Sequence, residues 1–100
     1  MQEFLRGAVR LHVLHHAAKG EVHGAWMATE LARHGYRISP GSLYPTLHKM
    51  EAEGLIRSYS KVVDGRVLRC YTATATGRRE LTTTKQQLRE LASEVLGEGP

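Results

Sequence analysis

Gly35-Tyr36-Arg37-Ile38-Ser39-Pro40-Gly41-Ser42-Leu43-Tyr44-Pro45-Thr46-Leu47-His48-Lys49-Met50-Glu51-Ala52-Glu53-Gly54-Leu55-Ile56 is the stretch that decides the fold of this chain. It reads as a tight turn, a capped helix, a glycine stop and the start of a strand. Ser39 is placed to cap the free amides of the first turn, and Pro40 suits the first helical position, where no amide partner is lost. Leu43, Leu47 and Met50 recur at helical spacing, and Gly54 can take the left-handed conformation that ends a helix. The outward residues are small or hydrogen-bonding, with few acids before Glu51. A helix so built can approach another surface closely, as entry into a DNA major groove requires.

Working upstream, a first helix is expected over about residues 3–18, ending at Lys19-Gly20. Phe4, Leu5, Ala8, Val9, Leu11, Val13, Leu14, Ala17 and Ala18 go nearly all round it, and a helix apolar on every side is buried on more than one. One side suits the core and another a partner subunit. A second helix over about 24–34 carries Trp26, Met27, Leu31 and Ala32, with Trp26 expected in the core. Two helices joined by a short glycine-containing turn, the later one with a bare polar face, make a helix-turn-helix.

Downstream, the runs 55–63 and 66–72 are joined by Asp64-Gly65, a strong signal for a two-residue hairpin turn. The register pairs Val63 with Arg66, Lys61 with Leu68 and Tyr59 with Cys70. Thr74 can cap a last helix over about 75–96, where Leu81, Thr84, Leu88, Leu91 and Val95 follow the 3-4 spacing of a helix-pairing seam. Gly97-Glu98-Gly99-Pro100 reads as a frayed tail.

The central stretch resembles the PadR family of winged helix-turn-helix transcriptional regulators, whose signature is close to G-Y-x-I-S-x-G-T-L-Y-P-x-L-x-x-L-E-x-x-G-L-I. Ser42 stands here for the usual Thr and Met50 for Leu. His23-Gly24 resembles the family's start of the second helix, and Tyr71-Thr72-Ala73-Thr74-Ala75-Thr76-Gly77 its passage from wing to last helix. The resemblance implies a mainly α fold with a two-stranded β wing: a DNA-binding part over 1–74 and a C-terminal dimerisation helix and tail over 75–100. It also implies repression of transcription, and control by small molecules, phenolic acids in some members and planar hydrophobic drugs in others. The last helix has no Trp, Phe or Tyr, a departure from the drug-binding pattern.

As a homodimer, such a chain would present two groove helices about 34–36 Å apart and read an inverted repeat of double-stranded DNA. Ser42 and Lys49 are the expected base-contacting residues, with Ser39, Gly41, Tyr44, Pro45, Thr46 and His48 beside them. Tyr44 has a second reading, its ring packed between helices, and Thr46 lies close to the Leu43–Met50 face. Pro45 lacks an amide donor and should bend or loosen the helix. Arg37, Lys61, Arg66 and Arg69 are expected at phosphates, which set affinity and register. Phe4, Leu5, Val9, Leu81, Leu88, Leu91 and Val95 are the expected dimer interface.

Charge supports this placement. Residues 33–79 carry nine Lys and Arg against three acids, while residues 1–32 balance and residues 80–100 are net negative. A basic middle between neutral or acidic ends is the footprint of phosphate contact. One hundred residues make one small domain, of a size that buries only roughly 60–70% of its unfolded surface and gains from dimerisation. No apolar run approaches the ~20 residues of a membrane span and no signal-peptide pattern opens the chain, so a cytoplasmic protein is expected. The single cysteine, Cys70, excludes an internal disulfide and a Cys-rich zinc site, and reads as a small hydrophobe in a strand. No Gly-rich phosphate loop, paired carboxylates or nucleophile elbow suggests an enzyme. A winged-helix protein-interaction module is the rival reading.

Six histidines suggest a second chemistry. His12 and His16 lie one turn apart, the spacing by which a helix gives two imidazoles to one metal. His15, Glu21 and His23 are further donors. The bland reading makes these residues polar members of a subunit interface or partly exposed surface residues. No cofactor is required, but a transition metal such as zinc is a candidate effector.

Overall fold

The computed structural model describes residues 1–97; residues 98–100, the end of the tail expected from the sequence, lie outside them. The order is α1 (Gln2–Lys19), β1 (Val22–His23), α2 (Gly24–Arg33), α3 (Pro40–Ala52), β2 (Ile56–Val63), β3 (Arg66–Ala73) and α4 (Ala75–Leu96). Among the described residues, no helix is long and apolar enough to cross a membrane.

Glycine closures fix the path of the chain on either side of α3. Gly35 has φ +90° and Gly54 φ +79°, conformations that cost glycine little. At α2 the amides of Gly35 and Tyr36 return to the carbonyls of Ala32 and Leu31; at α3 those of Gly54 and Leu55 return to Glu51 and Met50. Both helices thus satisfy their last carbonyls in the same way. Ser39 holds the N-cap position of α3, yet its side chain caps no amide. Its hydroxyl instead lies 3.4 Å from that of Ser42, to which it donates.

The sheet is antiparallel with order β1-β3-β2, three-stranded where the sequence predicts two strands. The extra strand is a pair of residues, too short to show a period, in which Val22 pairs with Tyr71 and His23 with Cys70. It covers part of the β3 edge that a bare hairpin would leave open. The β2–β3 register is as read from the sequence: Val63 opposite Arg66, Lys61 opposite Leu68, Tyr59 opposite Cys70. Asp64 and Gly65 both have positive φ, as a tight two-residue hairpin turn requires.

The core joins Val13, Leu14 and Ala17 of α1 to Met27 and Leu31 of α2, the inner face of α3, Ile56, Tyr71 and Leu81. Three sequence expectations need correction. Trp26 is 45% exposed because the next residue, Met27, takes the inward position; the indole instead meets His16 edge-on, with ring centroids 5.2 Å apart. Val9 and Leu81, expected at the dimer face, are already buried within the single chain as members of its core. Phe4, Leu5, Leu88, Leu91 and Val95 remain exposed.

The start of α4 is fitted closely to the start of β2. The Thr74 hydroxyl accepts from the Gly77 amide at 2.9 Å and donates to the Gly54 carbonyl at 2.6 Å. A Cβ on Gly77 would collide with the Leu55 carbonyl oxygen. Only glycine fits there without a shift.

Candidate nucleic-acid interface

The two faces of α3 are sharply divided. Leu43, Leu47 and Met50 are at most 1% exposed, whereas Ser39, Gly41, Ser42, Tyr44, Pro45, His48 and Lys49 are exposed. Thr46 is half-buried and donates its hydroxyl to the Ser42 carbonyl at 3.0 Å, so this side chain is engaged by its own helix. Tyr44 packs against the start of α2 and is still partly exposed. It is 39% exposed, and its ring rests on Gly24, where a Cβ would come within 2.7 Å of it. The helix runs on through Pro45. The amide that Pro45 lacks would have bonded the Gly41 carbonyl, which lies near the exposed start of the helix.

The basic residues are not equivalent. Arg37, Lys49 and Arg66 are exposed and, among the described residues, have no ion pair. Lys61 is held by Glu21, with Nζ 3.0 Å from Oε1. Arg69 donates to the Ser58 hydroxyl at 2.9 Å. Ser58 in turn gives its amide and hydroxyl to Glu51, at 3.0 and 2.8 Å. These bonds hold the Glu51 carboxyl below its ordinary range. Between α1 and α3 runs a groove of about 670 Å³ whose lining includes Arg6, Arg10, Arg37 and Lys49. Cationic side chains, Arg10 among them already paired with Glu53, therefore flank the exposed face of α3 on its α1 side as well as on the wing.

Glu21, Glu51 and Ser58 organise the wing, and no periodic signal in the sequence marks them. Tyr59 donates its hydroxyl to Glu21 at 2.5 Å, which pushes its pKa up to about 12 and keeps the Glu21 carboxyl low. The Lys61 ammonium is stabilised by the same carboxylate.

Apart from His48, exposed on α3, the histidines divide into two groups. His12 and His16 stack with centroids 6.4 Å apart, and His12 also lies 5.1 Å from His34 and 5.0 Å from Tyr36. Glu30 reaches His16 at 3.5 Å and His34 at 3.1 Å, so this group knits α1 to α2. Burial first, then neighbouring positive groups, lowers the pKa of His12 and His15; His16 is lowered chiefly by burial, against the pull of Glu30. Glu21 and His23 do not join the α1 histidines in a ligand set. Among the described residues, the only three potential ligand atoms that converge within 4.8 Å belong to Glu21, His23 and Cys70. Sequence reasoning misses Cys70 because a lone buried cysteine in a strand looks like packing until its cross-strand neighbour is known.

Residues 13–83 match the model of the Transcriptional regulator PadR-like family. The chain is 64% identical over 97 residues to the transcriptional regulator Rv3488 of Mycobacterium tuberculosis, covering 97% of this chain and 91% of that protein. It is similar to a solved PadR-like transcriptional regulator of Bacillus cereus, with TM-score 0.86 and 30% identity over 98% of this chain and 99% of that one. In fold alone it is similar to Bacillus subtilis PadR in complex with operator DNA, with TM-score 0.68 and 22% identity over 76% of this chain and 45% of that one. Match and identity both run through the helix-turn-helix and the wing, and the chain belongs to the PadR-like family of transcriptional regulators, which are not enzymes.

Proposed function

We propose that this chain is a cytoplasmic repressor that binds an inverted-repeat DNA operator as a homodimer. Residues 1–74 act as the reading head and residues 75–100 as the dimerisation arm. Ser42 and Lys49 reach base edges, flanked by Ser39, Gly41, Tyr44, Pro45 and His48, while Arg37 and Arg66 meet phosphates. Lys61 and Arg69 contribute less in the resting state, because Glu21 and Ser58 already hold them. The observation that carries the reading is the division of α3: three apolar side chains sealed in the core and a small, cationic face left to solvent beside a basic hairpin. The dimer is supported by Phe4 and Leu5 on α1 and by Leu88, Leu91 and Val95 on α4, large apolar side chains left exposed. Control of operator affinity by a small molecule or a transition metal is the regulatory extension of this reading.

The test begins with selection of bound duplexes from a random pool, followed by binding titrations at rising salt. A palindromic site is expected. Arg66→Ala should weaken binding to every sequence and flatten the salt dependence by roughly one unit of slope. Lys49→Ala should instead reduce discrimination between the selected site and random DNA. Unchanged operator affinity in both variants refutes the placement. A wild-type partner interaction that salt leaves unaltered points to the protein-interaction module.

A further inference from the structure

The convergence of Glu21, His23 and Cys70 has a structural origin. His23 and Cys70 are cross-strand partners of β1 and β3, so both side chains leave the same face of the sheet. Nδ1 of His23 stands 3.3 Å from Sγ of Cys70. In a tetrahedral zinc sphere, with Zn–S about 2.3 Å and Zn–N about 2.0 Å, sulfur and nitrogen are roughly 3.5 Å apart. The cross-strand pair meets that spacing within a few tenths of an ångström. The Glu21 carboxylate adds an oxygen within the same 4.8 Å set. Thiol, imidazole and carboxylate together select a borderline, thiophilic ion over magnesium or calcium.

Glu21 is also one of the residues that restrain the wing. Its carboxylate accepts from Tyr59, itself the β2 partner of Cys70, and from Lys61 two residues further along the same face. Any cation that takes a Glu21 oxygen therefore competes with the Lys61 ammonium and repels it.

We propose that Glu21, His23 and Cys70 bind a zinc-class divalent cation, and that loading this site releases Lys61 from Glu21 to the DNA backbone. Cys70 binds as the thiolate, its proton passing to solvent. The site is distinct from the α1 histidines, and the metal strengthens DNA binding. That consequence, unlike the site, rests on the operator binding proposed for the chain.

Cobalt(II) is the probe, because thiolate ligation gives it a near-ultraviolet charge-transfer band and tetrahedral geometry gives it intense visible bands. The full chain titrated with Co²⁺ should show both, and Zn²⁺ should erase them. Cys70→Ser should abolish the thiolate band. Glu21→Gln, which keeps the side chain's size and an oxygen to accept from Tyr59, should weaken Co²⁺ binding by about ten-fold or more. A His12→Ala/His16→Ala variant should bind like wild type. A wild-type protein without the thiolate band, or Glu21→Gln binding with wild-type affinity, overturns the site. For the coupling, zinc should steepen the salt dependence of operator binding by about one unit per chain in wild type and not in Lys61→Met. An unchanged slope in the loaded protein overturns the coupling. A chain that shows the cobalt signature but binds no DNA removes the operator reading and leaves the metal site standing.

Discussion

Gly77→Ala should destabilise the fold although it places a better helix former in α4. The added Cβ would overlap the Leu55 carbonyl oxygen and come within 3.1 Å of Leu14 Cδ1. A carbonyl oxygen cannot swing aside as the end of a side chain can, so α4 and β2 must separate. Overpacking of this kind typically costs about 1–3 kcal/mol. Separation also strains the Thr74 hydrogen bonds to the carbonyls of Gly54 and Leu55, each of net worth around 1 kcal/mol. Against this stands the ~1 kcal/mol by which alanine outranks glycine in a helix. A net loss of about 2 kcal/mol follows. For a domain of this size that lowers Tm by roughly 8–16 °C. Gly7→Ala is the matched control: a Cβ there meets nothing within 4 Å, so it should stabilise by about 0.5–1 kcal/mol. Urea unfolding at one fixed protein concentration measures both, the fixed concentration removing any contribution from dimerisation. If Gly77→Ala is as stable as wild type, or both substitutions shift stability in the same direction, the proposed collision is wrong.

Two further outcomes are expected. The pKa values of His12, His15 and His16 are lowered from 6.5 in the folded chain, so just below that pH the unfolded state binds more protons. Stability should therefore be full above about pH 6.5 and decline as pH falls through the lowered values of the folded chain. Glu21, Glu30 and Glu51, lowered from 4.5, lose their contribution only at more acid pH, as pH falls through their folded values. Replacing all three histidines with Gln should flatten the upper limb, and a wild-type limb already flat there contradicts the burial argument. On α4, the double substitution Leu88→Glu/Leu91→Glu should halve the mass seen by light scattering and weaken operator binding by about 100-fold or more through lost bivalency; a variant that stays dimeric places the interface elsewhere.

Periodicity and turn chemistry carried most of the fold. Leu43, Leu47 and Met50 declared the inner face of α3, Asp64-Gly65 set the hairpin register, and Thr74 marked the start of α4. Each of these signals is local. What was not legible depends on residues distant in sequence. β1 is two residues long and exists only because β3 offers an edge. Trp26 read as core from its place in the second helix, yet Met27 and Leu31 already occupy that stripe. Val9 and Leu81 cannot be divided between core and partner face until the packing of their helices on the core is known. In the candidate site, exposure along α3 followed from spacing, but the ties on Lys61 and Arg69 did not. Glu21 and Lys61 are 40 residues apart, and nothing in either neighbourhood announces the pair.

The acid that closes α3 shows how helix and wing come to act together. Glu51 sits in the last turn, where the helix dipole disfavours a negative charge. Its compensation is Ser58, which donates both amide and hydroxyl to it across the α3–β2 junction. β2 is an edge strand, so this carboxylate also occupies a donor that would otherwise invite another strand. Arg69 joins from β3 through the same hydroxyl. The base of the wing is thereby fixed to the helix from one face of the sheet, by Glu51. From the other face it is fixed by Glu21, through Tyr59 and Lys61. Helix and wing are thus joined by two carboxylates that act on opposite faces of the sheet. Glu51 bonds a backbone amide and is partly shielded, so it is the permanent tie. Glu21, at the solvent edge beside His23 and Cys70, is the one that the proposed cation would take.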